Sequence, residues 1–359
     1  MIGAASLATP VDMAGIVRPP TTDGTIALFN LEAQIDGLQQ DARFGRGTVE
    51  SRAALAELIT LRGLIVGRVA EYERAEEIVN QLVREAASDP AATLAQARMH
   101  AVFHRFADAL DDLDRAERLS LDAETANGER AGIFQALGRY DEAHALREEA
   151  ASRRTSFETI GALAGLWAER GEIDTARHLY EESLRLYRGV SPFPLALLDF
   201  QLGLMWMSHD RLEGARRSFE AALRRVPAYA PAQGHLAEVE AELGDIDTAI
   251  ARLYPLAISS DDPDYAGQLA RILGDVGRTD ESRRWRQRAS ARYDELVAAH
   301  PEAFADHAAE FWLAAGGDPV KALGLARMNF EVRQTPRARD LLSQAAAAAG
   351  RPMHSGRAH

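Results

Sequence analysis

The chain has no cysteine in its 359 residues. That excludes a thiolate nucleophile, a thiolate metal site and any disulfide. It has a single lysine, Lys321, so nearly all of its positive charge is arginine. The 54 acidic residues outnumber the 41 basic ones, for a net charge of −13. A chain of that balance is repelled by polyanions, and no arginine block is dense enough to override it. No nucleic acid and no anionic membrane are therefore expected as partners. Long apolar runs are missing too. No stretch approaches the roughly 18 residues a transmembrane helix needs, so no direct membrane insertion is expected. Residues 1–20 lack a basic start, and Pro10 and Asp12 interrupt their apolar run, which makes a weak secretory leader. The expected location is cytoplasmic. A periplasmic chain whose leader is absent is the alternative.

Catalytic signatures are equally scarce. There is no nucleophile elbow, zincin motif, phosphate loop or dinucleotide fingerprint. Asp141-Glu142-Ala143-His144 spells a helicase box, but no apolar strand or lysine-bearing phosphate loop accompanies it. His100 and His104 are spaced i, i+4 on an expected helix, yet two imidazoles make an incomplete metal site. His235 and Glu238, at i, i+3, have the form of an acid/base pair and equally of two polar groups on a solvated wall. The wall reading is preferred. No enzymatic activity, cofactor or metal is expected.

What the chain does have is a repeat. The stretch from Ala196 to Tyr229 reads as two helices with a short break. Leu202, Trp206 and Phe219 supply a shared apolar face, and Gly203 and Ala215 are small enough to let two helices approach. Pro227 ends the pair. The small residue that opens each second helix recurs as Ala75, Ala109, Ala143, Ala176, Ala215, Ala249, Ser282 and Ala322. The intervals are 34, 34, 33, 39, 34, 33 and 40 residues. Gly138, Gly171, Gly244, Gly277 and Gly317 lie just before an anchor, where a helix ends in a left-handed residue. Asp141, Asp174, Asp247 and Asp280 stand two residues before an anchor, placed to cap or to complement a helix N-terminus. Thr155 and Glu158 have capping-box spacing. The two long intervals predict a longer loop over Arg188–Pro194 and an extended second helix over Glu281–His300.

Leu-Gly, an aromatic, Ala, Phe and a closing Pro in a unit of about 34 residues resemble the tetratricopeptide-repeat (TPR) family. Asp199 departs from the pattern, which has Trp there. The resemblance implies an all-α fold, a right-handed solenoid of stacked hairpins. The expected organisation is a flexible segment over 1–24, a capping helix and linker over 25–47, about eight repeats over 48–349, and a frayed tail over 350–359.

In that family the first helix of each hairpin lines a concave groove. Carried onto this chain, the groove positions include Arg98, Phe200, Gln201, Leu204, His235, Glu238, Gln268, Arg271, His307 and Phe311. The resemblance implies a non-enzymatic scaffold that binds a peptide, a helix or a partner protein there. The alternatives are a ligand- or peptide-sensing regulatory domain and an accessory factor of an envelope or secretion complex. Lysines and asparagines that clamp a C-terminal carboxylate in some relatives are missing from these positions.

Overall fold

In a computed structural model, residues 19–350 are described. Most of the segment expected to be flexible (1–24), and nearly all of the tail expected to fray, lie outside the described residues. Among the described residues there are eighteen helices and no strand. No helix among them is long and apolar enough to cross a membrane.

The first helix, α1, spans Gly24–Arg43 and the last, α18, Pro336–Ala349. Between them run eight hairpins. They are α2 Val49–Val66 with α3 Val69–Glu85, α4 Pro90–Val102 with α5 Phe106–Arg118, α6 Ala123–Leu137 with α7 Tyr140–Arg153, and α8 Phe157–Glu169 with α9 Ile173–Leu186. Then follow α10 Phe193–Met207 with α11 Leu212–Arg225, α12 Ala230–Glu242 with α13 Ile246–Ser259, α14 Pro263–Asp275 with α15 Thr279–Ala299, and α16 Pro301–Leu313 with α17 Pro319–Val332. The fold is an all-α solenoid of stacked helical hairpins.

The anchors explain the packing. All seven alanines open a second helix and are fully buried. Ser282 does the same job with its hydroxyl, which donates to the Ala270 carbonyl of α14 at 2.7 Å. At Gly203 the partner helix is so close that a Cβ would stand 2.3 Å from the Phe219 ring. Asp199, where the pattern has Trp, is fully buried and accepts from Arg225 Nε at 3.1 Å. A helix pair that normally meets through an indole here meets through a charge-assisted bond.

The five turn glycines, and Gly67 in the first hairpin, all have left-handed φ, between +65° and +90°. Two hairpins lack that glycine, and there His104 and Asp210 adopt the same conformation at φ +56° and +55°. Asp141, Asp174, Asp247 and Asp280 sit in the first helical turns without capping; their helices have no side-chain cap. Their role is to offset the helix dipole. The capping box forms one residue later than expected, between Ser156 and Thr159. Six residues join α9 to α10, and α15 is 21 residues long.

The solenoid winds back onto itself. Three successive hairpin turns of its first part dock on three successive inter-hairpin loops of its last part. At the α2–α3 turn, the backbone N–H groups of Val69 and Ala70 donate to Asp261 at 2.7 and 3.0 Å, and Ser260 Oγ donates to the Gly67 carbonyl. At the α4–α5 turn, His104 Nδ1 lies 3.2 Å from the Glu302 carbonyl, and Phe103 stacks on His300 with centroids 4.1 Å apart. At the α6–α7 turn, Gln334 N donates to the Leu137 carbonyl at 3.1 Å and Arg333 Nε to the Ala136 carbonyl at 3.2 Å. Residues joined by these side-chain hydrogen bonds are 191 to 198 positions apart. First helices touch one another along the stack, α2 with α4, α12 with α14 and α14 with α16, so they share one side of it. Leu31 and Ile35 of α1 share a buried cluster with Ala222, Val226 and Tyr229.

Candidate functional site

The first helices of the last three hairpins build one polar wall. Helix α12 brings His235 and Glu238, α14 brings Asp264, Gln268 and Arg271, and α16 brings Asp306, His307 and Glu310. Arg333 and Arg337 reach it from α17–α18. Spacings of three and four residues put these side chains on the same face of each helix.

The wall is a chain of short polar contacts. His235 Nδ1 lies 3.4 Å from the Glu238 carboxylate without hydrogen-bond alignment. Gln268 Nε2 donates to Asp264 at 2.7 Å. Arg337 reaches both Glu310 oxygens, at 2.8 and 3.1 Å, and Arg333 Nη1 donates to Asp306 at 3.1 Å. Arg271 stands 3.8 Å from Asp275.

The charges respond to one another. Burial works against the Glu238 charge, but His235, Arg271 and Arg337 outweigh it and hold its carboxyl below the usual range. Asp306 raises the His307 imidazole, with Glu310 and Asp264 adding to it. Asp264 goes the other way: burial pushes its carboxyl up despite His307 and His235. Asp262, two residues earlier at the N-cap of α14, is likewise raised, by burial and then by Asp264.

Five of the expected wall residues, His235, Glu238, Gln268, Arg271 and His307, therefore come together. The others are placed differently. Arg98 is no isolated positive point; it is paired with Glu57 of α2 and Glu129 of α6. Those carboxylates stand on the first helices either side of it. Phe200 is half-buried among Phe219, Tyr229 and His235, with ring centroids 5.4–5.7 Å away. Gln201 and Leu204 are half-buried beside it on α10. Phe311 was expected on the wall and is a core residue instead, 6% exposed and packed on Tyr293. A Cβ on Gly267 would stand 3.0 Å from its ring, so the absence of a side chain there admits the phenyl group inward.

Asp264, Glu310 and Arg337 were not singled out from the sequence. Asp264 is one helical turn before Gln268 and Glu310 three residues after His307, so the same-face rule pointed to both. The histidine pair of α4 does not converge. His100 binds Asp112 at 2.7 Å, while His104 has left the helix for the seam. Burial, aided by Arg333, lowers the His104 imidazole to about 4.

No family model and no curated protein matches the sequence. Solved structures do match its fold. Human IFIT1 as a dimer with m7Gppp-AAAA is similar at TM-score 0.55 and 16% identity, over 88% of this chain and 77% of that one. The IFIT1 dimer with PPP-AAAA is similar at TM-score 0.54 and 16% identity, over 88% and 78%. A tetratricopeptide repeat protein from Parabacteroides merdae matches at TM-score 0.42 and 16% identity, over 72% of this chain and 98% of that one. The IFIT1 likeness corrects the expectation that nucleic acid is excluded. A solenoid of this fold has been solved with a capped oligonucleotide, so the fold does not forbid one. Net charge was the wrong quantity: it averages over the whole surface, whereas a bound ligand meets only a local patch.

Proposed function

We propose that this chain is a non-enzymatic scaffold that holds a segment of a partner protein inside its superhelical channel. The contacts are those of the inner wall: Phe200, Gln201 and Leu204 on α10, His235 and Glu238 on α12, Gln268 and Arg271 on α14, and His307 on α16, with Arg98 at the other end. The observation that carries this reading is the convergence of half-exposed polar side chains from three successive first helices. Exposed hydrogen-bonding groups on rigid, packed helices make a preformed binding surface.

The test is recovery of a partner from native lysate, followed by titration of that partner in pure form. Gln268→Ala combined with Arg271→Ala is expected to weaken binding at least tenfold, on the order of 1.4 kcal/mol. Unchanged affinity, with loss on changing convex residues instead, overturns the proposal. The IFIT1 likeness favours a second reading, an oligonucleotide in the same channel. Titration with PPP-AAAA separates the two: tight binding that Arg271→Ala and Arg337→Ala abolish assigns the channel to nucleic acid.

A further inference from the structure

Helix α15 carries five arginines from Ser282 to Tyr293 and no acidic residue between them, in a chain whose net charge is −13. Four of them, Arg283, Arg284, Arg286 and Arg288, are exposed. Arg283 meets Asp280 at 3.2 Å and Arg292 meets Glu295 at 3.1 Å. Arg284 acts on Glu281 from a distance, but that carboxylate is already held by Arg278, at 2.7 and 2.8 Å, and by the Tyr254 hydroxyl, at 2.8 Å. Arg286 and Arg288 have no carboxylate partner among the described residues. Positive charge is thus left over on this one helix.

The same helix lies along α13, the second helix of the preceding hairpin. Arg288 stands over the Trp285 ring, 5.4 Å from its centroid, and its Nη2 donates to the Ile258 carbonyl at 3.4 Å. Trp285 meets the Tyr254 ring edge-on, with centroids 5.6 Å apart. On α13, Ala251, Pro255 and Ile258 are exposed at i, i+4, i+7, so they form one row. Ile258 is 61% exposed although its carbonyl is in contact with α15. Beside that row stand Arg284 and Arg288, one helical turn apart. Single exposed apolar side chains are ordinary, whereas a row rimmed by charge marks a contact surface.

The chemistry of the strip selects its partner. Carboxylates answer the guanidinium forks, and an apolar stripe at helical spacing answers the row on α13. A nucleic-acid strand fits less well. It binds by stacking bases on free aromatic faces, and Trp285 is already engaged by Arg288 and Tyr254.

We propose that the α13–α15 face docks an acidic amphipathic helix of a partner protein. This surface is separate from the polar wall of the first helices and does not depend on what the wall binds.

The probe is the peptide acetyl-Glu-Leu-Ala-Glu-Leu-Leu-Glu-Glu-Leu-Ala-Glu-Leu-Leu-Glu-amide, titrated against the full chain beside a counterpart with every Glu replaced by Gln. The acidic peptide is expected to bind at least tenfold more tightly. That preference should shrink as salt rises from about 50 to about 200 mM. Arg284→Gln combined with Arg288→Gln should remove it. Ile258→Ser should weaken the acidic peptide severalfold, which charge attraction alone would not produce. Arg327→Gln with Arg339→Gln, the same charge change at exposed positions of α17 and α18, should leave binding within twofold. Equal binding of the two peptides, no binding of either, or a preference that survives the Arg284 and Arg288 changes overturns the inference. Two other occupants are read in the same series. Binding of PPP-AAAA that is tighter than the peptide and lost with Arg284 and Arg288 assigns the face to nucleic acid and overturns it. So does sedimentation as a dimer that the same two changes convert to a monomer, which assigns the face to a second copy.

Discussion

Asp261 caps a helix that begins 192 residues before it. Its carboxylate accepts from the N–H groups of Val69 and Ala70, at 2.7 and 3.0 Å. The residue before α3, Arg68, supplies no side-chain cap of its own. The job usually done by a neighbour in sequence is done by the next turn of the superhelix. Asp261→Ala is expected to cost about 1–2 kcal/mol, the range for losing an N-cap. Urea unfolding measures it, and faster amide exchange at Val69 and Ala70 localises it. Exchange at those two amides equal to wild type would refute the cap.

Two glycines should respond with opposite sign. Gly203→Ala forces a Cβ against the Phe219 ring and should cost about 1–3 kcal/mol as overpacking. Gly128 lies inside α6, and a Cβ there meets nothing within 4 Å. Gly128→Ala should gain about 0.5–1 kcal/mol by restricting the unfolded chain. Thermal melts of the pair check both, and a shared sign would show that the packing at Gly203 is misplaced.

Asp264 should be a stability cost at neutral pH. Its carboxyl is raised in the folded chain, so between the ordinary carboxylate range and the folded value the native state binds more protons than the unfolded state. Stability therefore falls as pH rises through that window, and the penalty is complete above it. Asp264→Asn should melt higher than wild type at pH 7.5. The gap should close below about pH 4, where both states hold the proton. A gap that is constant with pH would show that ionisation is not its cause.

His104 predicts the reverse dependence. Held down to about 4 by burial, its imidazole is neutral in the seam while the unfolded chain protonates near the ordinary value of 6.5. The stability it contributes is whole above pH 6.5 and declines as pH falls toward 4. His104→Asn, which also tolerates left-handed φ, should flatten that decline. Melts taken from pH 7 to pH 4 on both proteins decide it, and parallel curves would exclude His104 as the titrating group.

The repeat was legible because it is local. Ala75 to Ala322 keep their interval since each must admit one neighbouring helix, and that demand is written at fixed spacing. The wall was legible in part for the same reason: His235, Gln268 and His307 follow from position within the unit. Phe311 did not, because its inward rotation depends on Gly267 one hairpin earlier. Arg98 looked unpaired because Glu57 and Glu129 lie 41 and 31 residues away. The seam had no signature at all. Asp261, Ser260 and Gln334 act on partners almost 200 residues distant, and nothing in a 34-residue period records the pitch that brings them together.

That pitch changes how the chain must fold. A stack of repeats joined only to its neighbours has low contact order, and can nucleate anywhere and fray from either end. Here α2 to α7 reach their final contacts only after α13 to α18 have formed, so the first residues made are among the last to be finished. Both ends are tied into one cooperative unit, and removing the last two hairpins would loosen the first two.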